Sequence, residues 1–149
     1  MKICLASSSG GHLTQLVLLK DVWEERDHFF VTLRDYAADE LREHSAVYTV
    51  DWANRRHPVK LLKLTVRCLR ILLKERPDVV LSTGAAVGCL ICILGKMVRK
   101  KVIWVDTISH VDRLTLSGKI VRHFADVFLV QWPELAQKYK RVEYAGAVI

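Results

Sequence analysis

The sequence lacks the features that mark secreted and membrane-spanning chains. The first apolar run turns polar at Ser7, which is too early for the apolar region of a signal peptide, so we expect no leader. The longest apolar stretch, residues 85–94, is interrupted by Gly88 and closed by Lys96, so it falls short of the roughly 20 residues that span a bilayer. We therefore expect no transmembrane helix. The cysteines are even in number, but the chain is not short and we expect no leader, so we expect free thiols in a reducing cytosol rather than a disulfide framework. The four are Cys4, Cys68, Cys89 and Cys92.

Acidic residues are in deficit, with 16 Asp and Glu against 23 Lys and Arg, which gives a net charge of +7. This sign favours phosphates, nucleic acid or an anionic membrane surface as partners over a cationic ligand. At 51% hydrophobic and 26% charged residues, the chain can bury a full core, which excludes a disordered, collagenous or coiled-coil protein. No repeat, linker or low-complexity tract divides it, so we expect one domain over residues 1–149.

Short apolar runs alternate with segments of helical period. This alternation predicts right-handed crossovers and a parallel sheet covered on both faces, the doubly wound, Rossmann-like α/β fold. The predicted strands are Lys2–Ala6, His28–Leu33, Ala46–Val50, Asp78–Leu81, Lys101–Val105, Val127–Val130 and a short one at the start of 142–149. The predicted helices are Leu13–Val22, Tyr36–Glu43, Val59–Lys74, Ala86–Val98, Leu116–His123 and Pro133–Tyr139.

Ligands of such sheets bind beyond the carboxyl ends of the strands, where loops converge and helix N-termini point inward. Site residues are therefore expected in the loops that follow the predicted strands. These loops are Ser7–His12, Arg34–Asp35, Asp51–His57, Ser82–Gly88, Asp106–Thr115 and Gln131–Pro133.

The first of these loops predicts a phosphate site. Ser9, Gly10 and Gly11 stand between a strand and a helix, where free backbone amides and the helix dipole favour an anion. The loop is neither a Walker loop nor a GxGxxG fingerprint, and the alternative is a plain turn with a serine N-cap. His12 at its mouth is a candidate general base or a hydrogen-bond donor to pyrophosphate.

Two further loops repeat this chemistry. Ser82, Thr83 and Gly84 follow the fourth strand with hydroxyls and a glycine, although small residues there also suit close packing of a helix on the sheet. Asp106 follows the fifth strand as a candidate base for an attacking hydroxyl; its alternatives are an N-cap or an ion pair with Arg113.

A basic stripe lines the long fourth helix, at steps of three and four residues. The stripe is either a solvated face or a surface that contacts anionic lipid. Nucleic acid is a less favoured partner, because the tryptophans are scattered and no DNA- or RNA-binding motif is present. Cys89 and Cys92 have the spacing of a redox or zinc pair, but they lie in an apolar helix without a second pair of ligands, which favours core packing. The stripe comprises Lys60, Lys63, Arg67, Arg70 and Lys74.

Together these motifs resemble the bacterial PssD/CpsF family, which is homologous to the membrane-recruiting, acceptor-side subunit of the eukaryotic split N-acetylglucosaminyltransferase of asparagine-linked glycosylation. The resemblance rests on SSSGGHLTQL at 7–16, VVLSTGAAVG at 79–88 and WVDTISHVDRLTLSGKIVRHFADVFLVQWPELAQKY at 104–139. The late segment is the most specific of the three.

The resemblance implies the N-terminal half of a GT-B glycosyltransferase, active only with a separate PssE/CpsG-like subunit that binds the nucleotide-sugar. The end of the chain, residues 144–149, then resembles the start of an interdomain linker. The implied reaction is inverting and independent of a metal or other cofactor; it adds a sugar to a polyprenyl-pyrophosphate-linked acceptor in capsule or exopolysaccharide biosynthesis. The implied location is peripheral, on the inner face of the plasma membrane. We expect Asp106 as the base and His12 as a phosphate contact, with the reverse assignment open.

Two alternatives belong to other functional classes. In the first, the chain is a non-catalytic membrane anchor that activates the true transferase subunit. In the second, it is a nucleotide-binding oxidoreductase in which Asp35, after the second strand, binds ribose hydroxyls. Substitution of His12 and Asp106 tests the first, and titration with nicotinamide cofactors tests the second.

Overall fold

Seven parallel strands form one sheet in the computed structural model, which describes residues 1–51 and 57–148. The sheet order is β3-β2-β1-β4-β5-β6-β7, and every neighbouring pair is parallel. The strands are β1 (Lys2–Ala6), β2 (Asp27–Leu33), β3 (Ala46–Val50), β4 (Val79–Ser82), β5 (Lys101–Val105), β6 (Val127–Val130) and β7 (Glu143–Tyr144). This confirms the predicted doubly wound sheet.

Helices connect successive strands. They are α1 (Gly11–Leu18), α2 (Lys20–Trp23), α3 (Tyr36–Leu41), α4 (Pro58–Glu75), α5 (Ala85–Met97), α6 (Leu116–Val121) and α7 (Pro133–Lys138). Helix α4 begins with a proline, which suits a first turn whose amide needs no partner, and it ends at Arg76 in the left-handed conformation ahead of Pro77. Most of the predicted loop Asp51–His57 lies outside the described residues.

The predicted helix Leu13–Val22 is divided in two. Leu19 leaves helical geometry between α1 and α2, and the indole of Trp23 donates to the backbone oxygen of Leu16 at 3.0 Å. Apolar periodicity continues through this break because Trp23 still turns into the core. The remaining predicted elements agree with the structure to within about two residues at each end, the usual scatter of helix and strand limits.

The two faces of the sheet carry different helices. One face, here called the first face, packs α1, α2 and α3 against residues such as Leu5 and Phe30. The other, the second face, packs α4 to α7 against Cys4, Phe29 and Trp104. This division follows from right-handed crossovers, because the chain moves one way across the sheet before α4 and the other way from α4 onward.

The first face is less fully covered at β5 and β6. The helices that follow these strands, α6 and α7, place Val121 and Leu135 in the core of the second face. On the first face, Ile103 and Leu129 remain half-buried, and Val148 of the C-terminal segment packs on that core. In the parts of the chain that the structure describes, no helix is long and apolar enough to cross a membrane.

Candidate functional site

The site is the crevice between the carboxyl ends of β1 and β4. Strand β1 pairs with β2 on one side and β4 on the other, so the chain departs from this point in opposite directions. Ala6 pairs with Ser82, which brings the loops Ser7–His12 and Ser82–Gly84 side by side. This is the topological switch point, where doubly wound sheets bind ligands.

Two helix N-termini open into this crevice. Gly10 precedes α1 with a φ of 76°, and Gly84 precedes α5 with a φ of 130°. Neither helix has a side-chain cap or an acidic residue in its first turn. Their first amides therefore keep unmet hydrogen-bonding capacity and a positive dipole end, the combination that attracts an anion.

The Gly10-Gly11 turn is open to a ligand. Both residues are exposed, and a Cβ built on either would meet no atom within 4 Å. The positive φ of Gly10 explains the glycine there, whereas Gly11 needs no special conformation. Ser9 beside them is only partly buried. The structure thus places three of the predicted phosphate-binding residues where a ligand can reach them.

Two hydrogen bonds join the loops across the crevice. The Nδ1 atom of His12 lies 2.9 Å from the Thr83 carbonyl oxygen, and the Thr83 hydroxyl donates to the His12 carbonyl oxygen at 2.6 Å. Gly84 is required beside them, since a Cβ at this position would lie 2.6 Å from His12 Nδ1. The imidazole is therefore held in one orientation.

That orientation fixes the tautomer of His12. A carbonyl oxygen only accepts hydrogen bonds, so Nδ1 carries a proton and donates to Thr83. In the neutral ring, Nε2 then holds a lone pair, and within the described residues it has no hydrogen-bond partner. His12 is half-buried, and in this neutral tautomer Nε2 is the atom that can accept a proton at the mouth of the anion site.

Ser82 and Thr83 serve the site differently from the prediction. Both are fully buried, the Ser82 hydroxyl accepts from the Gly84 amide at 3.2 Å, and the Thr83 hydroxyl bonds His12. Their burial argues against direct contact between these hydroxyls and a ligand. They hold the second loop in place, and Gly84 supplies the close approach to His12.

Asp106 is also committed to the protein. It is 1% exposed, and its carboxylate accepts hydrogen bonds from the Trp104 indole at 3.1 Å, the Thr115 amide at 3.1 Å and the Thr115 hydroxyl at 2.8 Å. Thr115 is the N-cap of α6 and accepts from Gly118. By accepting from Thr115, the carboxylate stabilises the first turn of α6, a role close to the N-cap that the sequence offered as an alternative. Among the described residues, no contact joins Asp106 to Arg113. This geometry favours His12 over Asp106 as the base, which reverses the preferred assignment.

Sequence reasoning missed a buried pair of glutamines. The Gln131 amide nitrogen donates to Gln15 at 3.2 Å and to the Asp106 carbonyl at 2.9 Å, while its oxygen accepts from the Val148 amide at 2.7 Å. Gln15 lies one turn after His12 on α1. The only available signal was the position of Gln131 directly after β6. The pair links α1, the loop after β5 and the C-terminal segment.

A cavity of about 640 Å³ opens beside Gly10, between α1 and α3. Leu13, Val17 and Leu41 give it apolar walls, and Glu40 lies among its acidic lining residues. This chemistry suits a group with hydroxyls and apolar faces better than an anion. Asp35 also lines the cavity, but its carboxylate caps α3 by accepting from the Ala38 amide at 2.9 Å, so its ribose-binding role has no geometric support.

The remaining candidates lie away from the crevice. The basic stripe is exposed along the outer surface of α4. Cys89 and Cys92 are buried free thiols on α5, as expected for core packing. Among the residues that the structure describes, no group of three or more His, Cys, Asp or Glu is arranged to hold a metal ion.

A family comparison covers the larger part of the chain. The family described as "Oligosaccharide biosynthesis protein Alg14 like" matches residues 45–148, which include β4, α5 and the Asp106 loop. The chain belongs to the Alg14-like family. This agrees with the eukaryotic side of the resemblance drawn from the motifs, and the bacterial PssD/CpsF assignment stays a prediction.

Curated relatives of the Alg14-like chain are transferase subunits. It is 47% identical over 77 residues to the "UDP-N-acetylglucosamine transferase subunit alg14" of Schizosaccharomyces pombe, a match over 48% of this chain and 37% of the relative. With the Homo sapiens subunit ALG14 it is 28% identical over 180 aligned positions, covering all of this chain and 83% of the relative. Matches to the first relatives thus span only 37–40% of their length.

Solved structures share the fold of the Alg14-like chain. Acinetobacter baumannii MurG superposes with a TM-score of 0.80 at 14% identity, over 98% of this chain and 45% of that chain. The UDP-GlcNAc 2-epimerase of Methanocaldococcus jannaschii superposes with a TM-score of 0.74 at 16% identity, over 99% and 46%. At this identity the likeness confirms the Rossmann-like half of a GT-B architecture.

Proposed function

We propose that this Alg14-like chain is the acceptor-binding subunit of a two-component inverting glycosyltransferase, and that it supplies the base. The sugar is N-acetylglucosamine from a UDP donor, as the names of the relatives suggest. One observation carries the proposal. The hydrogen bond from Nδ1 to Thr83 orients His12 and leaves its Nε2 free, at the switch point where two uncapped helix N-termini meet.

The reaction needs an anion site and a base together. The diphosphate of a lipid-linked acceptor binds the amides around Gly10 and Gly11, where preorganised N–H dipoles hold negative charge. As the acceptor hydroxyl oxygen bonds to C1 of the donor sugar, Nε2 of His12 takes its proton and UDP leaves with the electron pair of the broken bond. One displacement from the opposite side inverts the anomeric centre.

The acceptor sugar has space beside this loop. The cavity that begins at Gly10 offers apolar side chains to the C–H faces of a sugar and carboxylates to its hydroxyls. Glu40 and Glu43 accept hydrogen bonds from the sugar hydroxyls, and their negative charge repels the diphosphate from the cavity. The acidic lining is unusual in a chain of net charge +7.

A second subunit completes the site in this proposal. The crevice holds an acceptor but offers few groups to a nucleotide, so the partner binds the donor. The half-buried Ile103 and Leu129 on the first face of β5 and β6 lie in the less covered part of the sheet, and they are the residues that we assign to partner contact. Apolar residues at the centre of an interface are the expected anchors of such a contact.

The cellular setting is the finer part of the proposal. We propose a polyprenyl-pyrophosphate acceptor, a PssE/CpsG-like partner and a role in exopolysaccharide or capsule biosynthesis at the cytoplasmic face of the membrane. The family supports oligosaccharide biosynthesis more broadly. No cofactor is required beyond the nucleotide-sugar substrate.

Reconstitution tests the function. The full chain is co-expressed with candidate donor-binding subunits and purified as a complex. The complex is assayed for transfer of labelled N-acetylglucosamine from UDP-N-acetylglucosamine to two lipid-linked acceptors, one polyprenyl and one dolichyl. We expect transfer only from the complex. Rapid turnover of a soluble sugar by the chain alone, or tight binding of a nicotinamide cofactor, contradicts the proposal.

Matched variants test the partner surface. The double change Ile103→Ser with Leu129→Ser is expected to abolish co-purification. The control is Met97→Ser with Leu116→Ser, at side chains 72% and 78% exposed elsewhere, and it is expected to leave the complex intact. Equal loss in both, with unchanged melting temperatures, contradicts the assignment of this face.

A further inference from the structure

Helix α4 buries only one side. Leu64, Cys68, Ile71 and Leu72 pack into the core of the second face, and the rest of the helix surface is turned outward. Its 18 residues make it the longest helix among the described segments. Its outer surface is not simply polar, which is unusual for a helix that covers a sheet.

Five large aliphatic side chains of α4 are exposed; Leu61 lies on the same side of the helix as Leu64, and the other four project from the outer surface. They recur at steps of three, four and seven residues, so they form one stripe along the helix. Scattered exposed aliphatics are ordinary on a protein surface, but a continuous row of them marks a site of interaction. This apolar stripe consists of Val59 (65% exposed), Leu62 (64%), Val66 (38%) and Leu73 (55%).

The basic stripe runs directly beside the apolar stripe. Each apolar residue is followed immediately by a basic one, and at about 100° per residue this places the two stripes next to each other on the helix. The pairs are Val59-Lys60, Leu62-Lys63, Val66-Arg67 and Leu73-Lys74, with Arg70 in the same basic row.

The positive charge of this surface is largely uncompensated. Within residues 1–51 and 57–148, no ion pair is formed by Lys60, Lys63, Arg67 or Arg70. The only acidic residue of α4 is Glu75, which is bound by Lys2 at 2.6 Å and by the Tyr48 hydroxyl at the far end of the helix. An anionic surface is therefore the complementary partner.

We propose that α4 lies in the plane of an anionic bilayer, with the apolar stripe inserted at the boundary between headgroups and acyl chains and the basic stripe on the phosphates. The two alternatives for the basic stripe do not account for the apolar stripe. A solvated face does not need exposed aliphatic residues, and nucleic acid binds basic side chains without an apolar stripe beside them. Aliphatic side chains beside lysines and arginines are the composition of interfacial helices.

The inference rests on the proposed function only for the reason why membrane binding would be useful. An acceptor linked to a lipid is confined to a membrane, and a subunit held there by α4 meets it without diffusing through solution. Membrane binding by α4 is nevertheless measurable with vesicles that contain neither acceptor nor partner, so its failure is distinct from a failure of the transferase proposal.

Vesicle flotation is the primary test. The full chain is mixed with vesicles of phosphatidylcholine alone or with about a third phosphatidylglycerol, at low and at high salt. We expect binding to the anionic vesicles and loss of most of it at high salt. The triple change Lys63→Gln, Arg67→Gln and Arg70→Gln is expected to weaken binding about 100-fold, since each basic residue contributes about five-fold.

Separate variants test the apolar stripe. Leu62→Ser, Val66→Ser and Leu73→Ser together keep every charge and are expected to weaken binding at least ten-fold. Matched controls elsewhere on the surface are Lys20→Gln, Lys119→Gln and Lys140→Gln for charge, and Met97→Ser with Leu116→Ser for apolar exposure. Both controls should bind as the unchanged chain does.

Insertion distinguishes a bilayer from other anions. Leu62→Trp should be quenched by lipids brominated on their acyl chains, whereas Leu116→Trp should not. The proposal is overturned by absence of binding to anionic vesicles, by equal losses in the control variants, or by an unquenched tryptophan at position 62. It is also overturned if a DNA or RNA duplex competes fully while the serine variants bind both normally.

Discussion

His12 and Thr83 exchange two hydrogen bonds between loops that are 71 residues apart in the chain. One bond orients the imidazole, and the other fixes the backbone that carries it. A single brace thus joins the two loops of the crevice and determines which nitrogen of His12 is free.

His12→Asn tests the base role with little change to the brace. The asparagine amide can take the place of Nδ1 as the donor to Thr83, but nothing replaces Nε2. We expect transfer by the reconstituted complex to fall about 10²- to 10⁴-fold, the usual contribution of a general base. Steady-state transfer assays and a co-purification assay on the same preparation make the comparison.

Thr83→Val is the control for the brace. It is close in shape and removes only the hydroxyl that bonds the His12 carbonyl, so we expect a loss of about 1 kcal/mol of stability and at most about a ten-fold loss of activity. If His12→Asn and Asp106→Asn both keep near-normal turnover in an intact complex, the chain is a non-catalytic subunit. That result selects the membrane-anchor alternative.

Asp106→Asn separates a positioning residue from a base. Three donors point at this carboxylate, so an amide NH₂ in place of one oxygen faces a donor and leaves a buried hydrogen bond unmade. We expect a loss of about 1–3 kcal/mol in the free energy of unfolding, measured by urea denaturation. Activity per folded molecule should stay within about ten-fold of normal. Loss of turnover at unchanged stability would restore Asp106 as the base.

The fold could be predicted because its signals are local. Alternating apolar strands and helical-period segments, with glycines after β1 and β4, suffice for a doubly wound sheet and its switch point. The break at Leu19 could not be predicted, because it depends on where the Trp23 indole finds its acceptor.

The site was harder to predict because its hydrogen bonds are long-range. The sequence shows a carboxylate after β5, but its occupation by Thr115, nine residues further on, is visible only in three dimensions. Gln15 and Gln131 are 116 residues apart. On α4 the periodicity separates charged from apolar residues, yet it does not say that Leu72 is buried and Leu73 exposed.

Glu75 makes stability depend on acidic pH. The hydrogen bond from Lys2, and to a smaller degree the one from Tyr48, holds the pKa of this carboxyl below its usual value of 4.5. A carboxyl with a depressed folded-state pKa stabilises the fold fully above its unfolded pKa and loses that contribution as pH falls through the folded value. We expect wild type to exceed Glu75→Gln by about 1–2 kcal/mol above about pH 5, and the gap to narrow toward about pH 3.

Chemical denaturation across this pH range measures the gap. The matched control is Glu25→Gln, at an exposed residue without an ion pair in the described segments. Its difference from wild type should be small and flat with pH. A gap for Glu75→Gln that widens on acidification contradicts the assigned network.

The four thiols should be inert in the native protein. Burial raises the pKa of Cys4 and Cys92, and it raises the pKa of Cys68 to about 11. Unfolded thiols ionise near 9.0 while the native ones stay protonated, so stability falls as pH rises above about 9. Ellman's reagent at about pH 8 should react only at the rate of unfolding. Rapid native reaction at Cys89 and Cys92 would revive the redox interpretation of their spacing.

Two glycines of the crevice should respond to alanine in opposite ways. Gly84→Ala puts a methyl group 2.6 Å from His12 Nδ1 at a φ of 130°, so it strains the backbone and displaces the imidazole. We expect the free energy of unfolding to fall by about 1–3 kcal/mol and the activity to fall with it. Gly11→Ala meets no atom within 4 Å and lies in the first turn of a helix, so the fold should tolerate it.

The prediction for Gly11→Ala is that acceptor binding weakens while the fold remains intact. The added methyl group occupies the open space through which a diphosphate reaches the amides, so the KM for the lipid-linked acceptor should rise at least ten-fold with little change in that for UDP-N-acetylglucosamine. Calorimetric melting and steady-state kinetics at varied acceptor and donor measure the two effects. Unchanged acceptor KM in a stable Gly11→Ala protein would place the diphosphate elsewhere and leave the first loop as a tight turn.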